Sequence, residues 1–92
     1  MATIHMEVES CRNTSTALTQ AKTSIEDQMT SLNSTVTNTV GSAWVAPSAN
    51  EFQSAFQEWT SAMKQIMEQL ATLQQRLDAE INEFEQTAAK LS

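Results

Sequence analysis

The chain has 92 residues, which is enough for one small domain with a thin core. Its formal net charge is −6, from 5 basic and 11 acidic residues. This balance leaves no basic stripe for phosphates, so it argues against nucleic acid and against an anionic membrane surface as partners. No apolar run approaches the roughly 20 residues of a membrane span, and the amino terminus lacks the basic and apolar regions of a signal peptide. We therefore expect synthesis in the cytoplasm, and any export must follow a route that reads no amino-terminal signal.

The first half of the chain predicts a helix from about Glu7 to about Thr39. Its apolar residues recur every seven positions, at Ile4, Cys11, Leu18, Ile25 and Leu32. A companion seam of apolar residues is interrupted by Ser15 and Lys22. Serine and threonine are frequent here, and each lowers helix propensity by about a few tenths of a kcal/mol. This helix should therefore depend on tertiary packing.

Residues 40–47 predict a turn between two helices. They hold the only glycine, Gly41, the only proline, Pro47, and one of the two tryptophans, Trp44. The sequence from Ser48 to Glu51 is typical of a capping box, in which a serine and a glutamate satisfy each other's backbone amides at a helix start. We expect Pro47 just outside that cap, or at the first helical position if the helix begins earlier.

The second half predicts one uninterrupted helix from Ser48 to about Lys90. Its apolar residues alternate in steps of four and three, at Phe52, Phe56, Trp59, Met63, Ile66, Leu70, Leu73 and Leu77. This is a heptad pattern, and an alternation with period two fails throughout. One seam continues through Phe84 to Leu91, whereas the other breaks at Glu80 and Thr87. At 1.5 Å per residue the helix is about 65 Å long.

Two antiparallel helices joined by a short turn form an all-α hairpin, which we expect to be a single domain over residues 1–92. A lone hairpin of this length covers only a narrow contact strip. We therefore predict that two hairpins pair into a four-helix bundle, as a homodimer or with a related partner chain. The predicted core and dimer stripe comprises Leu18, Ile25, Leu32, Phe52, Phe56, Trp59, Met63, Ile66 and Leu70.

The side chains that usually carry chemistry are scarce. There is one histidine, His5, one cysteine, Cys11, and no tyrosine. No Cys/His pair, glycine-rich phosphate loop or His-x-x-x-His spacing occurs, so we expect neither an enzyme nor a metal, cofactor or small-molecule site. Acidic residues cluster near the carboxyl end of the second helix, at Asp78, Glu80, Glu83 and Glu85. We interpret them as a solvated helix face, because acid/base chemistry needs a pocket that shifts pKa values.

Trp44 is the large apolar residue that lies outside both heptad stripes. It could fold over the end of the hairpin, as most apolar loop residues pack on their own domain. Alternatively, another protein could bind it. The residues alone leave both interpretations open.

Together, these features resemble the WXG-100 family of hundred-residue Trp-x-Gly proteins, over essentially the whole chain. Its members share this length, lack a signal peptide and fold as helical hairpins with Trp-x-Gly in the turn. Here the turn reads Trp44-Val45-Ala46. An aromatic residue follows eight positions on, at Phe52, and a second bulky residue fifteen positions on, at Trp59, as in family members.

The resemblance implies export as a dimer by a type VII (ESX) secretion system, powered by its membrane ATPase. It also implies that Trp44, Val45 and Ala46 form a composite surface with the carboxyl end of a partner chain. Ala46 replaces the usual glycine, so the turn should not need a positive φ there.

The tail differs from the family pattern as well. Phe84 and Ala88 stand where many members carry the tyrosine and the acid of a Tyr-x-x-x-Asp/Glu signal. The chain is thus expected to travel with a partner that bears the signal or to use a divergent system. A non-exported coiled-coil adaptor or chaperone is the alternative. Membrane perturbation is a third option, which the lack of a basic amphipathic face disfavours.

Overall fold

The structure, a computed structural model, describes residues 4–91. Within that range the chain forms two α-helices, α1 (Val8–Thr39) and α2 (Pro47–Leu91), and no strand. The first three residues of the amino-terminal segment considered above lie outside it. Side chains near the start of α1 bond to side chains near the end of α2, as Arg12 does to Glu85, so the helices are antiparallel. The predicted all-α hairpin is confirmed.

The helix starts differ from the predicted ones by one residue each. Glu7 is the N-cap of α1 and makes no side-chain capping bond. Pro47 is the first residue of α2, and the amide of Ala49 donates to the carbonyl of Ala46 at 3.0 Å. Proline suits this position because its missing N–H would have no partner inside the helix. Of the two placements considered for Pro47, the earlier helix start is the right one.

The predicted capping box is wrong. Because α2 begins at Pro47, Ser48 is already its second residue and cannot act as the cap. Its hydroxyl makes no hydrogen bond to Glu51 in the described chain. The start of α2 therefore rests on proline and on the Ala46 carbonyl.

The turn is closed by backbone hydrogen bonds around one glycine. Gly41 has φ +91°, and its amide donates to the carbonyl of Trp44 at 3.0 Å. The amide of Trp44 donates in turn to the carbonyl of Thr39 at 2.9 Å. No non-glycine residue among the described ones has a positive φ, so alanine at position 46 is compatible with the turn.

The hairpin is a thin rod that leaves much of its apolar surface uncovered. Its extents are 69 × 22 × 16 Å and its radius of gyration is 20.7 Å, whereas a compact chain of this length has about 12 Å. Its accessible surface is 7095 Å², against about 5,300 Å² for a compact monomer of this mass. In the described chain, the apolar residues that are buried are Met29, Ala49 and Ile81.

Only part of the predicted apolar stripe faces α1. The half-buried seam of α2 toward α1 is Phe56, Met63, Leu70, Leu77 and Phe84, joined by the more polar seam Gln53, Thr60, Met67, Gln74 and Ile81. The companion seam Phe52, Trp59, Ile66 and Leu73 instead remains 43–53% exposed. The buried Ser15 on the inner face of α1 accounts for this, because it bonds to Gln74 on the polar seam of α2 and to Asp78.

A polar layer between the helices satisfies Ser15, which is only 7% exposed. Its hydroxyl donates to Asp78 Oδ1 at 2.6 Å, and the amide of Gln74 donates to Asp78 Oδ2 at 2.7 Å. Arg12 and Glu85 form an ion pair two turns further along α2. The interpretation of the acidic cluster as a solvated face is therefore wrong for Asp78, which is half-buried and bonds to Ser15 on α1. Glu85 is exposed, as that interpretation expects, and forms a surface ion pair with Arg12.

The polar layer predicts a specific stability effect. Asp78→Ala should lower the free energy of unfolding by about 1–2 kcal/mol, since it leaves the buried Ser15 hydroxyl without its acceptor. Glu83→Ala on the exposed face of the same helix is the matched control and should change it by less than about 0.5 kcal/mol. Denaturant unfolding measures both variants. Equal effects would show that the layer contributes nothing.

The turn predicts the effects of two opposite substitutions, glycine to alanine at position 41 and alanine to glycine at position 46. Gly41→Ala should destabilise by about 1 kcal/mol because alanine disfavours a positive φ. No atom lies within 4 Å of the added methyl group, so a steric clash would not contribute. Ala46→Gly should not strengthen the turn, because position 46 gains nothing from glycine's freedom and the unfolded chain becomes more flexible. A higher melting temperature for Ala46→Gly would contradict this account of the turn.

Candidate functional site

Trp44 lies at the end of the rod and is only partly covered by its own chain. Its ring packs against Phe52, with centroids 5.7 Å apart and an interplanar angle of 53°. The side chain of Trp44 is still 37% exposed, and Phe52 itself is 47% exposed. One side of the ring therefore packs on α2, and the rest faces solvent.

The three predicted turn residues line one shallow depression of about 450 Å³. Val45 is 77% exposed beside Trp44, and Ala46 is half-buried. The remaining lining residues are Gly41, Pro47, Ala49 and Asn50. None of the seven is charged, so the depression suits an apolar or neutral side chain of another molecule.

The backbone of Trp44, rather than its indole, closes the turn. Its amide donates to Thr39 and its carbonyl accepts from Gly41, and any residue except proline could supply both groups. The indole ring therefore takes no part in closing the turn. This separation makes it possible for the side chain to bind a partner.

The two tail residues lie at the opposite end of the rod from the turn. Phe84 is half-buried on the seam that faces α1, and Ala88 is exposed near the end of α2. Between Pro47 and Phe84 the helix advances roughly 55 Å at 1.5 Å per residue. A single chain therefore does not bring the turn and the tail together.

The predicted stripe residues divide into two groups. The half-buried ones are Leu18, Ile25, Phe56, Met63 and Leu70, and the exposed ones are Leu32, Phe52, Trp59 and Ile66. The rings of Phe56 and Trp59 stack with centroids 5.6 Å apart and 27° between their planes. Leu32, Phe52, Ala55, Phe56 and Trp59 line an open groove of about 370 Å³.

Sequence reasoning missed three residues that hold the hairpin together. Ala49 is 1% exposed, and Gln74 and Asp78 complete the polar layer. The signal was present: Ala49, Gln53, Phe56 and Thr60 follow steps of four and three, but the seam mixes polar and small residues. A sequence does not show that a polar residue lies on the inner face of a helix unless its hydrogen-bond partner on the other helix is known.

Within residues 4–91 no group of three or more His, Cys, Asp or Glu side chains could hold a metal ion. Every buried side-chain nitrogen or oxygen in that range has a hydrogen-bond partner. Neither α1 nor α2 has a window apolar enough for crossing a membrane.

The sequence was compared with known families and proteins. The family described as WXG100, proteins of 100 residues with WXG, matches residues 3–88. The matched range includes the Trp44 turn, both inner seams and the tail position Phe84. Comparisons with curated proteins and with solved structures found no match.

The family match agrees with the architecture. WXG100 proteins are small helical proteins associated with secretion and not with catalysis. Their hairpin shape and their central tryptophan are those described above. Because the match covers nearly all of the sequence, the chain belongs to the WXG100 family.

Proposed function

We propose that the protein is exported as a dimer by a type VII (ESX-like) secretion system and acts outside the cell as an effector or a co-secretion partner. Membership of the WXG100 family supports a small secreted substrate. The observation that carries the proposal is the exposed Trp44 turn at the family's defining position. The chain has no enzymatic role in this proposal and binds neither nucleic acid nor a small-molecule substrate.

The recognition surface comprises Trp44, Val45 and Ala46. A tryptophan side chain that is more than one-third exposed buries a large apolar area when a partner covers it. Aromatic anchors of this kind contribute much of the binding energy at protein interfaces. The proposed reader of this surface is the secretion ATPase or a component docked on it.

A dimer would cover the apolar surface that a single hairpin leaves exposed. The monomer exposes about 1,800 Å² more than a compact chain of its mass, and several large apolar side chains contribute to the excess. A standard interface buries about 800 Å² on each partner. A second hairpin can therefore be accommodated on the exposed apolar residues, and a homodimer is the preferred form over a pair with a related chain.

The divergent tail limits how export can start. Phe84 has no hydroxyl and lies half-buried on the seam toward α1, and Ala88 carries no charge. A reader that requires both a tyrosine and an acid would find neither here. We therefore propose co-export with a partner that bears the complete signal, or a secretion system with a different tail requirement.

A non-exported adaptor is the second candidate. The open groove lined by Leu32, Phe52 and Trp59 could hold the apolar face of a helix from another protein. In that case the protein would stay in the cell and Trp44 would serve packing only. Whether the protein is exported distinguishes the two candidate functions.

Trp44→Ala tests the recognition surface. We expect loss of export from the native host with unchanged helix content and dimer mass, because the backbone of Trp44 and Gly41 closes the turn. Trp44→Phe keeps a ring against Phe52 but reduces the exposed area, and should export at an intermediate level. Secreted protein is measured in culture supernatant against the amount in the cells.

Two controls make that result interpretable. Val45→Ala changes the neighbouring exposed side chain and should reduce export only weakly. Circular dichroism and light scattering report folding and mass for every variant. If Trp44→Ala instead melts the hairpin or splits the dimer, the side chain serves packing and the recognition surface is refuted.

The dimer itself is tested by mass in solution. Light scattering at micromolar concentration should give twice the 10.2 kDa of the chain. The apolar seams that the single hairpin leaves in water are the physical reason. A stable monomer that remains fully helical would overturn the dimer.

A further inference from the structure

The last third of α1 differs in composition from the part of the helix that precedes it. Residues 30–39 read TSLNSTVTNT, so eight of these ten residues are serine, threonine or asparagine. The preceding residues 18–29 contain three residues of these types. Serine, threonine and asparagine are poorer helix formers than alanine, leucine, lysine or glutamine, because their side chains lose rotamer freedom or compete for backbone hydrogen bonds. We call residues 30–39 the Ser/Thr segment.

Tertiary packing does little to offset this low helix propensity. The buried residues of α1 are Ser15 and Met29, and both precede the Ser/Thr segment. Within the segment Val36 is half-buried and the other nine residues are exposed. Open grooves run along its two sides, one lined in part by Asn33 and the other by Leu32. Little buried surface therefore holds the segment on α2.

Two local features weaken the Ser/Thr segment further. The hydroxyl of Thr35 donates to the carbonyl of Ser31 at 3.0 Å, and the hydroxyl of Thr39 donates to the carbonyl of Thr35 at 2.9 Å. Such bonds to the carbonyl four residues earlier slightly destabilise a helix. The last turn of α1 also has no basic residue to balance the negative end of the helix dipole. Opening of the segment should therefore cost less free energy than opening of the preceding part of α1.

The hydrogen bonds that cap the Ser/Thr segment come from the turn. The hydroxyl of Ser42 donates to the carbonyl of Asn38 at 2.6 Å, and the amide of Trp44 donates to the carbonyl of Thr39 at 2.9 Å. They satisfy carbonyls that have no acceptor role left inside a helix end. Because both acceptors belong to the segment, the bonds hold the turn only while the segment is helical. The backbone of Trp44 is fixed when the segment is closed and released when it opens.

We propose that the Ser/Thr segment is a local unfolding unit, which opens while the rest of the hairpin stays folded and thereby controls the geometry of the Trp44 turn. The closed form presents the turn in the hydrogen-bonded geometry described above. A partner that binds this geometry stabilises the segment, and by linkage a more stable segment favours binding of that partner. This inference rests on the proposed recognition surface and adds its regulation.

Residue-resolved amide hydrogen exchange of the full chain, followed by NMR, tests the unit. The amides of residues 34–39 should exchange about tenfold faster than those of residues 18–29, or faster still. The physical reason is that a local opening exposes the first group and leaves the second group hydrogen-bonded.

Stabilising the Ser/Thr segment should slow exchange in the segment and in the turn together. The triple variant Ser31→Ala, Ser34→Ala and Asn38→Ala replaces three exposed poor helix formers. It should slow exchange of the segment's amides about tenfold. The amide of Trp44, which bonds to Thr39, should slow by the same factor.

Two further variants control this result. The triple variant Asn13→Ala, Thr16→Ala and Ser24→Ala makes equivalent changes at exposed positions earlier in α1, and should leave exchange in the segment and the turn unchanged. Gly41→Ala loosens the turn itself, because alanine disfavours the φ of +91° there. It should speed exchange of the segment about fivefold.

The opposite results are equally specific. Equal exchange rates along α1, or the same slowing in both triple variants, would show that the segment opens only with the whole hairpin, and would overturn the unit. A slowed segment beside an unchanged Trp44 amide would overturn its control of the turn. Normal export of Trp44→Ala would refute the recognition surface and would leave the exchange results as they stand, so the two failures are distinguishable.

Discussion

The structure depends on one mismatch: α2 carries a wider apolar stripe than α1 can cover. Its inner seam from Phe56 to Phe84 packs on α1, and the outer seam from Phe52 to Leu73 is left in water. A thin rod with so few buried apolar residues has little hydrophobic stabilisation of its own. The uncovered seam is therefore the physical reason to propose a partner.

The rotation of the helices follows from polar residues on the inner face. Ser15 is buried, and a buried hydroxyl without a hydrogen bond is costly. Gln74 and Asp78 satisfy it, which turns the polar seam of α2 toward α1 and the outer seam toward solvent. A small polar layer thus determines which apolar residues stay exposed. It also fixes the register of the hairpin, because these hydrogen bonds form in only one alignment of the two helices.

Heptad spacing was sufficient to predict both helices and the turn, since a sustained pattern over many turns has no alternative with period two. Predictions from short local motifs were less successful. The Ser48–Glu51 motif suggested a cap, but Pro47 starts the helix one residue earlier. Asp78 looked like a solvated acid because its partner Ser15 lies more than sixty residues away in the sequence. Spacing within one helix also cannot say which of two neighbouring seams faces the other helix.

For the turn, the sequence indicated Trp44 as unusual and left its role open. The structure adds that its backbone closes the turn while its indole is only partly covered by Phe52. Family membership places that tryptophan at the position for which the family is named. The two divergent residues differ in their consequences. Ala46 fits the turn, because no described non-glycine residue needs a positive φ. Phe84 lacks the hydroxyl group of the tyrosine that the family resemblance leads one to expect there.

The most direct test of the account is to measure the protein in culture supernatant of its native host with and without the secretion ATPase. The account predicts that the protein is present outside intact cells when the ATPase is active and accumulates inside them when it is deleted. A cytoplasmic marker protein controls for lysis. Equal amounts outside the cells in both strains, or no protein outside in either, would contradict export by a type VII system.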